Sequence, residues 1–238
     1  MPGRVRQGPS PLEELPSKIA NIFEQVQGPA HNHKKNFVAL YKLHEDATQI
    51  TQPCRTPQGE EAVKPIGEKA FMDTFFVKLG KILSLKKGTY PADQVVKFIS
   101  GYVKHLNDKA AESRADDEEE EDVLDIDSAT SRFTERLVEF LLKGFGAKDK
   151  SARYRVVQIC AEIVISLGEL DEDLYMKMRR GLLERLNDKE ISVRVQAAIA
   201  LCKFARTDDS SEESNEDAES EPSLLDCLME SMTYDDAV

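Results

Sequence analysis

Tryptophan is absent from this 238-residue chain, and only four cysteines occur, at positions 54, 160, 202 and 227. Their spacing gives neither a Cys-x-x-Cys pair nor a zinc set, which argues against a disulfide framework or a structural metal as the organising device. Cys160 and Cys202 fall in apolar helical patterns and read as core thiols of a reducing compartment. Nowhere do eighteen apolar residues follow one another, and Arg4 and Arg6 precede no hydrophobic run. The chain therefore reads as intracellular and soluble, with no membrane partner and no secretory signal. Also missing are a Gly-rich phosphate loop, a His-x-x-x-His pair, paired buried carboxylates and a Ser-His arrangement. His31, His33, His44 and His105 lie in charged or polar surroundings. No enzyme and no cofactor is expected.

Charge is abundant but unevenly placed. The formal net charge is -12, yet residues 1 to 110 hold 16 Lys and Arg against 11 acids, and residues 132 to 207 hold 15 against 11. The negative charge is concentrated in residues 111 to 131, with ten acids and one Arg, and in residues 208 to 238, with twelve acids and no basic residue. Nucleic acid is thus not excluded by the overall balance, because binding responds to the local field of a basic face. The run Asp116 to Asp122 repels itself and offers little apolar burial, so it reads as a mobile insertion. It has neither the alternating ligands nor the turn glycine of a calcium loop.

Apolar residues recur at helical rather than strand spacing. Residues 1 to 10 form a flexible lead. Helices are expected over about 12–27, 32–50, 67–85 and from Pro91 through Leu106, with Pro16 near a first turn and residues 51–65 as a loop carrying Pro53, Pro57, Gly59 and Pro65. The second helix carries Phe37, Leu40, Tyr41 and Leu43 as its apolar residues. Residues 11–111 form an N-terminal helical region, and 112–131 the acidic disordered insertion.

A basic helix-pair unit follows, twice in register. Lys148-Asp149-Lys150-Ser151-Ala152-Arg153-Tyr154-Arg155-Val156 realigns with Asn187-Asp188-Lys189-Glu190-Ile191-Ser192-Val193-Arg194-Val195 at an offset of 39 residues. Such a period belongs to helical solenoids, whose short amphipathic pairs bury their apolar faces by stacking. The first pair is expected over 132–144 and 151–167, ended by Gly168. The second pair spans 171–186 and 191–205, with Leu174, Met178, Leu182 and Leu186 facing Val195, Ala198, Ile199 and Cys202. Residues 207–222 form an acidic linker, and a further unit begins within 223–238, at Leu224 to Met229. The chain is expected to be part of something longer.

Asp149, Asp188 and Arg194 are expected to organise turns, the aspartates by accepting backbone donors. Lys148, Lys150, Arg153 and Arg155 crowd one turn and helix start, where exposed backbone donors also favour anions, and suit a phosphate-contacting ridge. Lys34 and Lys35, beside His33, and Lys86 and Lys87 would extend it. Ordinary solvated charge is the competing reading of each group, and Tyr90, Tyr102 and Tyr154 read as packing residues.

The strings Ala152-Arg153-Tyr154-Arg155-Val156-Val157-Gln158-Ile159, Leu167 to Leu174, Gly181 to Glu190 and Val193 to Ala197 closely resemble the condensin complex subunit 3 family of HEAT-repeat, G-type chromosome-associated subunits. The resemblance covers about residues 132 to 206, the two HEAT repeats, and the earlier helices are compatible with it. It implies an all-α fold, a superhelical HEAT solenoid of antiparallel helix pairs, in an N-terminal piece of a much longer subunit. It further implies a non-catalytic role in mitotic chromosome condensation. The partners would be the kleisin subunit (condensin subunit 2), the backbone of double-stranded DNA contacted without regard to sequence, and indirectly the SMC ATPase subunits. The location would be the nucleus and chromosomes, and the cytoplasm in part of the cell cycle. By similarity, Lys148, Lys150, Arg153 and Arg155 become the foremost candidates for backbone contact. A HEAT-type protein-interaction scaffold without direct DNA contact is the alternative.

Overall fold

The computed structural model describes residues 10–55, 61–116, 129–167 and 171–208, which divide between two units, Met1–Lys81 and Ile82–Val238. Helices dominate both. Among the described residues, no helix is long and apolar enough to cross a membrane.

In the first unit, α1 spans Pro11–Val26. Ser10 and Glu13 close its start reciprocally: the Ser10 N–H donates to Glu13 Oε2 at 2.8 Å, and the Glu13 N–H to Ser10 Oγ at 3.4 Å. Because the helix begins at Pro11, Pro16 stands beyond the first turn and deprives the Leu12 carbonyl of its donor. Leu15, Ile19, Ile22, Phe23 and Val26 form the buried stripe.

A 3₁₀ turn, Ala30–Asn32, leads into α2, His33–Thr48. The buried face of α2 is His33, Asn36, Leu40, His44 and Ala47 rather than the apolar set Phe37, Leu40, Tyr41 and Leu43. Of that set only Leu40 is fully enclosed; Phe37, Tyr41 and Leu43 are half-buried. His44 stacks on Phe71 of α3, Gly67–Leu83, at 4.5 Å between centroids, and Phe75 meets Phe23 edge-on at 5.3 Å.

Residues 51–65 depart from the expected loop. Strands β1, Thr51–Arg55, and β2, Glu61–Pro65, pair antiparallel with Thr51 opposite Pro65 and Pro53 opposite Val63. The Ile66 N–H donates to the Ile50 carbonyl at 3.1 Å, so the hydrogen-bonded pairs are 50/66, 52/64 and 54/62. Both prolines occupy the other set, where no backbone donor is required. Proline spacing therefore permits this ladder.

The second unit contains α4, Tyr90–Asp116; α5, Ala129–Gly144; α6, Lys150–Ile163, continued by a 3₁₀ turn Val164–Ser166; α7, Glu172–Arg185; and α8, Ile191–Asp208. Helix α4 carries its helical form into residues 112–116 of the acidic segment; 117–128 lie outside the described residues. So do Gly168 and residues 209–238, with most of the acidic linker and the further half-unit.

Helix α6 packs on α4, α5 and α8, while α7 packs on α5 and α8. The core includes Phe98, Tyr102 and Phe133, with the Phe133 ring edge-on to Tyr102 at 5.3 Å, and Val156, Ile159, Cys160 and Ile163 of α6. Met178, Leu182 and Leu186 are enclosed as expected, but the residues that α8 buries are Val193, Ala197, Ala200, Leu201 and Phe204. Val195, Ile199 and Cys202 point outward instead. Helix α8 is apolar on two sides, so periodicity alone did not select the inner one.

Candidate nucleic-acid interface

Two consecutive turns of the second unit are fastened by one carboxylate. Asp188 lies in the turn before α8 and is almost wholly buried. Arg153, in the first turn of α6, donates to it through Nε to Oδ2 at 2.7 Å and through Nη2 to Oδ1 at 3.0 Å. Arg153 Nη1 also donates to the carbonyls of Ala147 at 2.8 Å and Lys148 at 3.2 Å.

Asp188 additionally accepts the Glu190 N–H at 3.0 Å and Arg185 Nη1 at 3.2 Å, while Arg194 Nη1 donates to its carbonyl at 3.0 Å. Arg185 Nη1 reaches back to the Phe145 carbonyl at 3.0 Å. Burial alone would raise the Asp188 carboxyl; the Arg153 hydrogen bonds, the Glu190 N–H and the Arg153 and Arg185 charges outweigh it and hold the group below the ordinary carboxylate range. Arg153 is correspondingly raised by its bond to Asp188, against the opposing effect of burial. The turn-organising roles expected of Asp149, Asp188 and Arg194 are all present, since Asp149 caps α6 by accepting the Ser151 N–H at 2.9 Å.

Arg155 makes a second tie. Fully enclosed, it pairs with Asp93 of α4, donates to Gln158 Oε1 at 2.9 Å, and through Nη2 donates to the Lys86 carbonyl at 2.8 Å. That carbonyl also accepts the Thr89 hydroxyl at 2.7 Å. Gly88, at φ 76°, lets the chain turn there where a side chain would be strained. Tyr154 is buried beside the same turn, its hydroxyl pushed up by burial despite the Arg155 charge, and Lys87 Nζ lies 5.3 Å from its ring centroid.

The expected basic ridge therefore resolves into two layers. Arg153 and Arg155 are internal ties, with guanidinium groups held by carboxylates and carbonyls, and this corrects the reading of them as outward phosphate contacts. Lys86, Lys87, Lys148 and Lys150 are exposed on the turns that these arginines fix. Lys150 is 3.5 Å from Glu190 but its side chain remains 67% exposed. Lys189, the register equivalent of Lys150, is exposed too and escaped the sequence reading, although the 39-residue repeat points to it.

Lys34 and Lys35 are exposed on α2, in the other unit. His33 is enclosed, its Nε2 3.2 Å from the Val26 carbonyl. Tyr102 and Tyr154 are packing residues as expected, whereas Tyr90 is 56% exposed. Chemically, the turns offer mobile ammonium groups on rigid backbone, an arrangement suited to polyanions and lacking any bidentate fork for reading bases.

No family model matches the chain. It is 29% identical over 188 residues to condensin complex subunit 3 of Saccharomyces cerevisiae, covering 79% of this chain and 16% of that protein. It is 32% identical over 149 residues to the Schizosaccharomyces pombe protein of the same name, covering 63% and 15%. Superposition on the crystal structure of the S. pombe condensin Cnd3–Cnd2 subcomplex gives a TM-score of 0.54 at 27% identity, covering 78% of this chain and 19% of that one. In sequence and in fold the chain is thus similar to condensin complex subunit 3. The human condensin complex subunit 3 is 26% identical over 189 residues. The chain thus spans about one sixth of the length of these relatives, in keeping with an N-terminal HEAT-type domain. Among the described residues, no group of three or more His, Cys, Asp or Glu side chains could hold a metal ion.

Proposed function

We propose that this chain is part of a non-catalytic condensin HEAT subunit that holds double-stranded DNA by its phosphate backbone, together with a kleisin partner, and so supports mitotic chromosome condensation. Its helix pairs would stack as a solenoid, with α5 and α6 followed by α7 and α8. Its place would be the nucleus and chromosomes, with the SMC ATPase subunits as indirect partners.

One observation carries the DNA reading. Buried Arg153 and Arg155 bind the carbonyls of Lys148 and Lys86, so one helix start positions two lysine-bearing turns whose ammonium groups face solvent. Lysines held this way release counterions from a duplex without reading its sequence. The kleisin reading is supported by the relative crystallised as a Cnd3–Cnd2 subcomplex.

The test is binding of the full chain to short duplex DNA, with and without a kleisin segment, comparing wild type with the variant Lys86→Glu, Lys87→Glu, Lys148→Glu and Lys150→Glu. Loss of DNA binding with kleisin binding retained is the expected result. Equal DNA binding by the variant would sink the assignment, and binding of kleisin alone by the wild type would make the chain a protein scaffold.

A further inference from the structure

We propose that Tyr90 is a further contact to the DNA backbone, its hydroxyl donating to a phosphate beside those met by Lys86 and Lys87. This rests on the duplex-DNA reading above and adds to it a residue that carries no charge.

A tyrosine offers a large apolar body with a polar tip, and a fold usually encloses much of it. Tyr102 and Tyr154 are buried, and Tyr41 and Tyr175 half-buried, whereas Tyr90 is 56% exposed. Its backbone is nonetheless fixed on both sides. The Thr89 carbonyl accepts the N–H groups of Ala92 at 3.0 Å and Asp93 at 3.1 Å. The Thr89 hydroxyl donates to the Lys86 carbonyl at 2.7 Å, where Arg155 Nη2 donates at 2.8 Å, and Pro91 restricts the following φ. An exposed ring on so constrained a base loses little backbone freedom when a ligand meets it.

The local charge favours an anion as that ligand. Asp93 is the acid in the first turn of α4, and it is paired with buried Arg155. Lys86 and Lys87, four and three residues before Tyr90, are exposed. Lys87 Nζ lies 5.3 Å from the Tyr154 ring centroid, which joins this turn to the start of α6, beside exposed Lys148 and Lys150. Tyr90 therefore projects from the same fixed turn as two of the four lysines. A phosphate keeps lone pairs to spare after meeting an ammonium group, and a tyrosine O–H is among the neutral donors that take them.

The absence of charge makes the contact separable from the lysines. A neutral donor displaces no counterion, so its loss should weaken binding by the same factor at every salt concentration. The experiment is salt-titrated binding of the full chain, with its kleisin segment, to short duplex DNA, comparing wild type, Tyr90→Phe and the double variant Lys86→Gln, Lys87→Gln. Tyr90→Phe keeps the ring and should lower affinity about three- to tenfold with an unchanged slope of log affinity against log salt, whereas the lysine variant should lower both. Wild-type affinity for Tyr90→Phe overturns the proposal while the lysine variant is weakened; if that variant also binds as wild type, the DNA reading of this turn falls as well. A shallower slope for Tyr90→Phe would show that it acts through the lysines, and weakened kleisin binding with DNA binding intact would make Tyr90 a protein contact; either result overturns the proposal.

Discussion

Arg153 and Asp188 share two hydrogen bonds, at 2.7 and 3.0 Å, across 35 residues of sequence, and both side chains are buried. The pair joins the start of one helix pair's second helix to the corresponding turn of the next. Removing only Asp188 leaves an uncompensated guanidinium in the interior, so Asp188→Ala should destabilise the second unit by about 3–5 kcal/mol. Denaturant unfolding followed by circular dichroism measures this. The double change Arg153→Met with Asp188→Leu should cost far less, because it leaves no unpaired charge.

Acid should act through the same group. The folded Asp188 carboxyl is held below its ordinary value, so its contribution is complete above the unfolded value of about 3.9 and is lost as pH falls through the lower folded value. Stability measured between pH 7 and pH 3 should decline toward the acid end. Asp188→Asn should be less stable near neutrality and show a shallower decline. Equal pH slopes for the two proteins would contradict this assignment.

The two basic layers should separate experimentally. Arg155→Met removes the hydrogen bonds to Asp93, Gln158 and the Lys86 carbonyl and should destabilise by about 1–3 kcal/mol, since the Asp93 carboxylate keeps access to solvent. Lys86→Gln, Lys87→Gln, Lys148→Gln and Lys150→Gln are exposed changes, each expected within about 0.5 kcal/mol of wild type. Thermal unfolding of the five single variants decides whether this division holds.

Gly181 faces the Phe145 ring so closely that an added Cβ would overlap its Cδ2 and Cε2 atoms. Gly181→Ala should therefore force α7 and the turn after α5 apart, at a cost of about 1–3 kcal/mol. Combining it with Phe145→Leu should recover part of the loss. A wild-type midpoint for Gly181→Ala in denaturant would show that this contact yields freely.

Much of the helical layout was legible because each helix carries a recurring apolar set bounded by stop signals, as with Leu15 to Val26 before Gly28-Pro29 and Phe71 to Leu83 before Gly88. The β1–β2 ladder was hidden by its prolines, whose compatibility depends on a register that local sequence does not display. Val195 and Ile199 were placed inward because α8 presents an apolar stripe on either side, and the neighbours that choose between them lie elsewhere in the chain. The exposed lysines were found by clustering. Arg153 and Arg155 were assigned to the same surface because a basic residue's sequence neighbours do not reveal a carboxylate 35 or 62 positions away.

The most direct measurement of the central claim is the dependence of duplex-DNA affinity on salt, using the full chain with its kleisin segment, for wild type and for the variant Lys86→Gln, Lys87→Gln, Lys148→Gln and Lys150→Gln. If these four lysines meet phosphates, the variant should bind more weakly, and the slope of log affinity against log salt should be shallower by up to about one for each lysine removed. The same slope and the same affinity in both proteins would contradict the account and move any DNA contact to another surface.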